Sequence, residues 1–518
     1  MSKKPTNILI ILDGWGVAPK SEGNAVELAQ KPFFDMLTKK YPCTTLNATG
    51  LAVGLSEDER SGSEAGHLNI GAGRIIKQET RIISEDVESG KFYKNQKISR
   101  TVNHALKEKT NLHFIGLLSD NDSSHSDPAH LYALLKFAKI KKIKQVYLHL
   151  FTDGRDTRKE TALIFLEDLN NKIKEIGIGK IATIGGRYYG MDRVKHWDRL
   201  QRAYDSMVLG EGAKSYSAEA AVKNSYKNGL TDEFIIPTVI INKKNDKPVM
   251  KIKDNDSVIF FNTRGDRARQ FAKLFVFDNI VGYENRQNKL NNIFACTLTD
   301  FGPDLPVQVA YYSKTVKNSL PAIMKDFKQL YIAEAEKYPH ITYFLNGGHK
   351  DSTSGEMRKR IASPNVFSYD QKPEMSAGEI TEVITSNIKY SVYDFMAVNY
   401  ANADMVGHTG NLKAAIIAIE FLDKCLKRVV EMVLDSGGVA IITADHGNAD
   451  EMIDLKTGKE LTMHSKNPIP FIIVKNGLNK NNCQLKANGV LGNVTPTLLD
   501  VLDIKKPKEM VLGSLIKK

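Results

Sequence analysis

Asn7-Ile8-Leu9-Ile10-Ile11-Leu12-Asp13-Gly14-Trp15-Gly16 is a short, almost continuously apolar run that ends on a carboxylate and turn residues. A strand covered by helices on both faces reads this way, because neither face meets water and no polar alternation is needed. In open α/β sheets ligands gather beyond the carboxyl ends of the strands, so Asp13 is placed to hold a cation. Taken alone, an Asp-Gly pair after a strand is a turn. What decides between the two readings is whether the pattern recurs.

It recurs in the last third of the chain. His340–Leu345 reads as a strand ending in Asn346-Gly347-Gly348, preceded by Glu334 and Lys337. Phe395–Tyr400 is a second, followed by Asp404 and His408. A long helix is predicted from Leu412 to Leu434, stopped by Ser436-Gly437-Gly438. Val439–Thr443 then delivers Asp445-His446-Gly447, and His464 follows before Pro468. Carboxylates and imidazoles mixed in this way suit manganese or zinc, whereas magnesium prefers oxygen alone. Asp445 and His446 are adjacent, so they are expected to point apart and serve ions or shells on either side.

The stretch Ser61-Gly62-Ser63-Glu64-Ala65-Gly66-His67-Leu68-Asn69-Ile70-Gly71-Ala72-Gly73-Arg74 supplies a nucleophile for such a centre. Its glycines allow a sharp bend and close approach to a ligand. A helix opening after Ser63 would present free N–H groups to an anion. The serine attacks phosphorus only if a base or a metal lowers its hydroxyl pKa, and no histidine base is evident beside it. The alternative is a glycine-rich turn with Ser63 as an N-cap. Between Asp13 and this stretch, Ala25–Lys40 reads as a polar helix.

From about Gln78 to Tyr311 the texture changes. Phe114–Leu118 leads to Ser119-Asp120 and His125; Val146–Phe151 leads to Thr152-Asp153-Gly154-Arg155-Asp156. Ile181–Ile184 leads to Arg187 and Arg193, and Val258–Phe261 leads to Arg264 and Arg267. Five arginines just beyond strand ends point to one anion pocket, since the guanidinium fork matches phosphate and carboxylate oxygens.

Wider properties bound the answer. A chain of 518 residues exceeds one simple core, so two α/β domains are expected. Hydrophobic content of 42% and charged content of 25% belong to a globular protein. No apolar run approaches the roughly 18 residues of a bilayer span. Ile8–Leu12 is too short for a signal-peptide core. Four scattered cysteines read as reduced thiols, and a cytoplasmic protein is expected. The net charge of +12 comes from dispersed lysines without interleaved aromatics, which argues for a solvated basic surface and against nucleic acid.

These motifs resemble those of the cofactor-independent phosphoglycerate mutase family, in the alkaline phosphatase superfamily. The resemblance runs nearly end to end through Leu12–Gly16, Ser63–His67, Thr152-Asp153-Gly154-Arg155-Asp156-Thr157, Asp404-Met405-Val406-Gly407-His408-Thr409-Gly410 and Thr443-Ala444-Asp445-His446-Gly447-Asn448. It implies a phosphatase-like domain from 1–77 and 312–518, with a phosphotransferase domain inserted at 78–311. It further implies interconversion of 3- and 2-phosphoglycerate through a phosphoserine on Ser63, without 2,3-bisphosphoglycerate or any organic cofactor. Asp404, His408 and His464 would hold one divalent ion, and Asp13, Ser63, Asp445 and His446 the other. Manganese is the expected ion, with zinc, cobalt or magnesium as alternatives. Lys337 would stand beside the transferring phosphoryl. His125, Arg155, Asp156, Arg187, Arg193, Arg264 and Arg267 would bind phosphoglycerate, with Asp156 as acid and base. A monomer that binds neither nucleic acid nor membrane is expected, and closure of the two domains is expected to complete the site.

The chain departs from the family's pattern in places. Asp58-Glu59-Arg60-Ser61-Gly62 stands where Gly-Gln-Met-Gly-Asn is usual, and Asn121–Asp127 is one residue longer than usual around His125. Glycine replaces proline in Arg264-Gly265-Asp266-Arg267, and Arg158 replaces another proline. Two other readings compete: a phosphatase, sulfatase or phosphopentomutase sharing only the metal site, and a non-catalytic anion or nucleic-acid binder. The arginine set speaks against the first and the full carboxylate–imidazole set against the second.

Overall fold

The computed structural model describes residues 5–57, 59–120, 123, 125–284, 288–302, 304–312 and 315–517. Of the departures noted above, Asp58, Asn121, Asp122 and Ser124 lie outside the described residues. The chain forms two compact units, Met1–Gln78 with Lys314–Lys518, and Glu79–Ser313.

The first unit is built on an eight-stranded sheet. Its order is Met357–Ile361, Gln329–Glu334, Phe395–Tyr400, Asn7–Leu12, Val439–Thr443, Ile469–Lys475, Cys43–Asn47 and Gly489–Val490. The first five run parallel, and Ile469–Lys475 is antiparallel to both its neighbours. Asn7–Leu12 sits centrally with every residue buried, as its unbroken apolar run requires. Parallel strands share one carboxyl end, so Asp13, Asp404 and Asp445 are delivered to the same edge of the sheet. The long helix Leu412–Asp435 covers it with an apolar stripe that includes Leu422, Leu426, Val429 and Val433.

Two expectations fail here. His340–Leu345 is not a strand: His340–Phe344 forms one wide helical turn, closed by Leu345 N–H donating to His340 O. The β-branched and aromatic residues imitate a strand, but the place beside Phe395–Tyr400 is taken by Gln329–Glu334. Ala25–Lys40 is two helices, Ala25–Leu28 and Pro32–Lys40, because Pro32 can begin a helix but not continue one.

The second unit also has an eight-stranded sheet, ordered Gln308–Tyr311, Phe294–Thr299, Ser257–Phe260, Leu112–Leu118, Val146–Thr152, Lys180–Gly186, Thr238–Ile240 and Ala213–Ser215. Successive residues of Leu112–Leu118 feed opposite cores: Phe114 and Leu118 pack on one face, Ile115 and Leu117 on the other. The parallel neighbours Ser257–Phe260, Leu112–Leu118, Val146–Thr152 and Lys180–Gly186 end together, which places the polar residues after them side by side.

Candidate active site

In the first unit, Ser63 opens the helix Ser63–Ala72, capped by Gly62 and ended by Gly73 in the left-handed region at φ +61°. Ser63 is therefore the first helical residue and not the N-cap that its sequence allowed. Its helix lies close against the strand end bearing Asp445: a Cβ on Gly66 would come within 2.7 Å of Asp445 Cβ. Ser63 Oγ donates to Asp13 Oδ1 at 3.2 Å and accepts from Lys337 Nζ at 2.7 Å. His446 Nε2 is 3.0 Å from the same oxygen, so the serine does have a histidine beside it, contrary to the sequence reading.

Lys337 stands three residues past the strand Gln329–Glu334, its N–H bonded to Glu334 O at 3.0 Å. Its Nζ also donates to Asp13 Oδ1 at 2.7 Å and Asp404 Oδ2 at 2.5 Å. Burial opposes the charge, but Asp13, Asp404 and Asp445 outweigh it and hold the ammonium pKa well above its ordinary value. For Asp13, burial and then Asp445 raise the carboxyl pKa against the pull of Lys337. Asp404 behaves oppositely. Burial raises its pKa, yet Lys337 and His408 bring it well below the usual range. Asp445 is likewise lowered, by His446 and His67 acting against burial.

The imidazoles are aimed by the backbone. His408 Nδ1 lies 2.6 Å from Thr462 O, His464 Nδ1 2.7 Å from Ser61 O and His446 Nδ1 3.3 Å from Gly447 O. A carbonyl only accepts, so each ring carries its proton on Nδ1 and turns the Nε2 lone pair inward. His408 Nε2 and His464 Nε2 meet at 3.1 Å, each 3.2 Å from Asp404 Oδ1. Three electron-rich atoms that converge without a hydrogen between them fit a cation. Near Ser63, Asp445 Oδ2 is buried without an aligned hydrogen bond, with His446 Nε2 3.5 Å away. His446 is raised above its ordinary pKa, since Asp445, Asp404 and Asp13 outweigh burial and draw a proton or cation to it. His464 is pushed down to about 4 by burial and by His446. Among the described residues, the groups able to hold an ion are Asp404 with His446 and His464, and Asp13 with His67 and Asp445. Asp445 and His446 fall in different groups, yet Asp445 Oδ2 and His446 Nε2 lie 3.5 Å apart, so the two side chains approach one another instead of pointing apart as their adjacency suggested. His67 was missed, although it lies one helical turn beyond Ser63 and i, i+4 residues share a face.

In the second unit, Arg187 Nη1 donates to Asp153 Oδ1 at 2.7 Å and to Asp156 Oδ2 at 2.8 Å. Burial raises the Asp156 pKa, but Arg187 and His125 outweigh it and keep the carboxylate ionised. Asp266 gathers Arg193 and Arg264, each at 3.3 Å, with His125 Nδ1 at 3.8 Å. His125 is pushed down to about 3 by burial and by Arg264. Arg267 falls to about 9 through burial and the nearby charges of Arg193 and Arg155. Arg155 pairs only loosely, 3.7 Å from Glu233. Cations crowded enough to depress an arginine favour an anion among them.

A serine held among carboxylates and imidazoles at the ends of parallel strands defines an α/β phosphotransfer enzyme. A model of the family described as BPG-independent PGAM N-terminus matches residues 83–302. The 2,3-bisphosphoglycerate-independent phosphoglycerate mutase of Clostridium kluyveri is 46% identical over 520 residues, covering 100% of both chains. That of Clostridium perfringens is 47% identical over 521 residues, again covering 100% of both. Among solved structures, the phosphoglycerate mutase of Leishmania mexicana at low cobalt concentration matches with a TM-score of 0.87 and 29% identity, over 99% of this chain and 98% of that one. The chain belongs to the 2,3-bisphosphoglycerate-independent phosphoglycerate mutase family.

Proposed function

We propose that this chain interconverts 3-phosphoglycerate and 2-phosphoglycerate with Ser63 as the phosphoryl acceptor, the first unit carrying the transfer and the second holding the glycerate. The observation that carries the reading is the trio of Ser63 Oγ, Lys337 Nζ and His446 Nε2, with the serine oxygen within 3.0 Å of both nitrogens. Asp404, His408 and His464 would hold one divalent ion, and Asp13, Ser63, Asp445 and His446 a second. Imidazole with carboxylate favours manganese, with zinc, cobalt or magnesium as substitutes. When bound, such ions lower the hydroxyl pKa of Ser63 and offset charge on phosphoryl oxygens.

The chain's own groups supply the rest. Ser63, deprotonated once its hydroxyl pKa is lowered, attacks phosphorus through Oγ, and the O–P bond to glycerate breaks. Lys337 keeps its proton and stabilises the oxygens that gain charge. Arg155, Arg187, Arg193, Arg264, Arg267 and His125 bind phosphate and carboxylate oxygens. Asp156 takes a proton from one glycerate hydroxyl and returns one to the other. Glycerate reorients while bound, its second hydroxyl takes the phosphoryl back, and Ser63 is regenerated. We further assign the enzyme to the cytoplasm as a monomer; separately, among the described residues no helix is long and apolar enough to cross a membrane. The test is interconversion of the two phosphoglycerates by metal-stripped protein, with and without manganese and without bisphosphoglycerate. Activity that needs the ion and no bisphosphoglycerate supports the reading; activity that needs bisphosphoglycerate overturns it.

A further inference from the structure

Asp13, His67 and Asp445 each offer a ligand atom, all within 4.8 Å of one another. His67 is fully buried and reads at first as a third ligand. The hydrogen bonds around it assign another role. Asn399, at the end of the strand Phe395–Tyr400, has its Nδ2 2.6 Å from Asp13 Oδ2 and 3.0 Å from His67 Nε2. Turning the amide over would set its carbonyl oxygen against the Asp13 carboxylate, two acceptors with nothing to share. Nδ2 therefore stays where it is, with one hydrogen for Asp13 and the other for His67. Nε2 must then be the acceptor, and the ring proton sits on Nδ1. That proton faces Ser63 O at 2.8 Å, with Asp445 Oδ2 at 3.2 Å. A nitrogen that carries a proton has no lone pair for an ion.

We propose that His67 is a positioning residue: its Nδ1–H is donated to the Ser63 carbonyl, which sets the polarised edge of the ring against Asp445 Oδ2 without an aligned hydrogen bond to it, and its tautomer is fixed by Asn399 through Asp13. This rests on the reading of Asp13, Ser63 and Asp445 as cation ligands. Donors that orient a ligating carboxylate tune the affinity of the site without touching the ion. One residue thereby joins the nucleophile's helix to a ligand from another element, and Asn399 links that pair to Asp13.

Two variants of the full-length protein separate donor from ligand and from filler. In His67→Asn the shorter side chain's amide nitrogen occupies the place of Nδ1 and still donates, while His67→Gln reaches the place of Nε2 and leaves the Nδ1 position empty. Each is measured by kcat, KM for 3-phosphoglycerate and the manganese concentration giving half activity. The rise in Tm with added manganese, without substrate, gives a readout independent of turnover. His67→Gln should need about 10–100-fold more manganese in both readouts, with KM within roughly twofold. His67→Asn should stay within about threefold of wild type. His67→Gln indistinguishable from wild type, His67→Asn as impaired as His67→Gln, or failure of both to fold overturns the inference, the last by making His67 a packing residue. If His67→Gln alone fails to fold, His67→Asn decides. A wild type whose Tm and activity ignore manganese overturns the ion site itself and this inference with it, whereas a responsive wild type beside an equally responsive His67→Gln overturns this inference alone.

Discussion

Lys337 Nζ donates to Ser63 Oγ at 2.7 Å, so an ammonium touches the oxygen proposed to become the nucleophile. The same nitrogen binds Asp13 and Asp404, which fixes it between the serine and two carboxylates. Lys337→Met removes the charge while keeping most of the bulk. It should lower kcat on the order of 10²–10³-fold, the loss seen when one donor to developing negative charge is removed, with a smaller effect on KM. Unchanged steady-state kcat would place Lys337 outside the chemistry.

Ser63→Ala should abolish isomerisation and leave phosphoglycerate binding intact, because the arginine set lies in the other unit. Calorimetric titration and a coupled assay read the two effects separately. A variant that still isomerises removes the phosphoserine from the mechanism.

Arg264→Ala should raise the ratio of free phosphate released to product formed. While glycerate is held, return of the phosphoryl is intramolecular, with effective molarities on the order of 10⁵ M or more against about 55 M water. Loosening glycerate hands the phosphoserine to water. Phosphate release matching wild type at full isomerisation would show that Arg264 does not retain glycerate.

A pH effect on stability follows from a row of buried groups in the second unit. His113 Nε2 lies 3.1 Å from Asp256 Oδ2, His113 Nδ1 lies 3.0 Å from His149 Nε2, and His149 Nδ1 lies 3.0 Å from Thr183 Oγ1. Burial lowers both histidine pKa values, that of His149 furthest, with His113 as its second cause. The unfolded chain then binds more protons than the folded one below about pH 6.5, so stability is full above that pH and declines as acid is added. Tm measured from pH 7.5 to 4.5 should fall most below about 6.5, and His149→Leu should flatten that fall. A slope identical in wild type and variant would exclude this row as its source.

The sequence was most readable where chemistry and chain direction coincide. Asp13, Asp404 and Asp445 follow apolar runs that had to be parallel strands, so their convergence was visible in the sequence itself. Lys337 was found by resemblance but set beside the wrong strand, because His340-Ile341-Thr342-Tyr343-Phe344 has the branched and aromatic character of a strand without a free place in the sheet. His67 and Asn399 stayed hidden for a different reason. Each is a polar residue on an otherwise buried element, and what it does depends on a partner more than 300 positions away. The usable signals were the four-residue spacing from Ser63 and a polar side chain inside the apolar run Phe395–Tyr400.

His408, His446 and His464 each rest their outer nitrogen on a main-chain carbonyl: Thr462, Gly447 and Ser61 respectively. The aim of the three rings is therefore tied to the path of the backbone. Residue 61 can change identity without disturbing His464, provided the chain keeps its course there. The unusual Ser61-Gly62 pair can therefore depart from the family's pattern while the Ser61 carbonyl continues to steer His464. The same arrangement makes the centre sensitive to a class of change that leaves every functional side chain in place. A proline or a deletion that bends the loop at 61, 447 or 462 would turn an imidazole away as surely as replacing it.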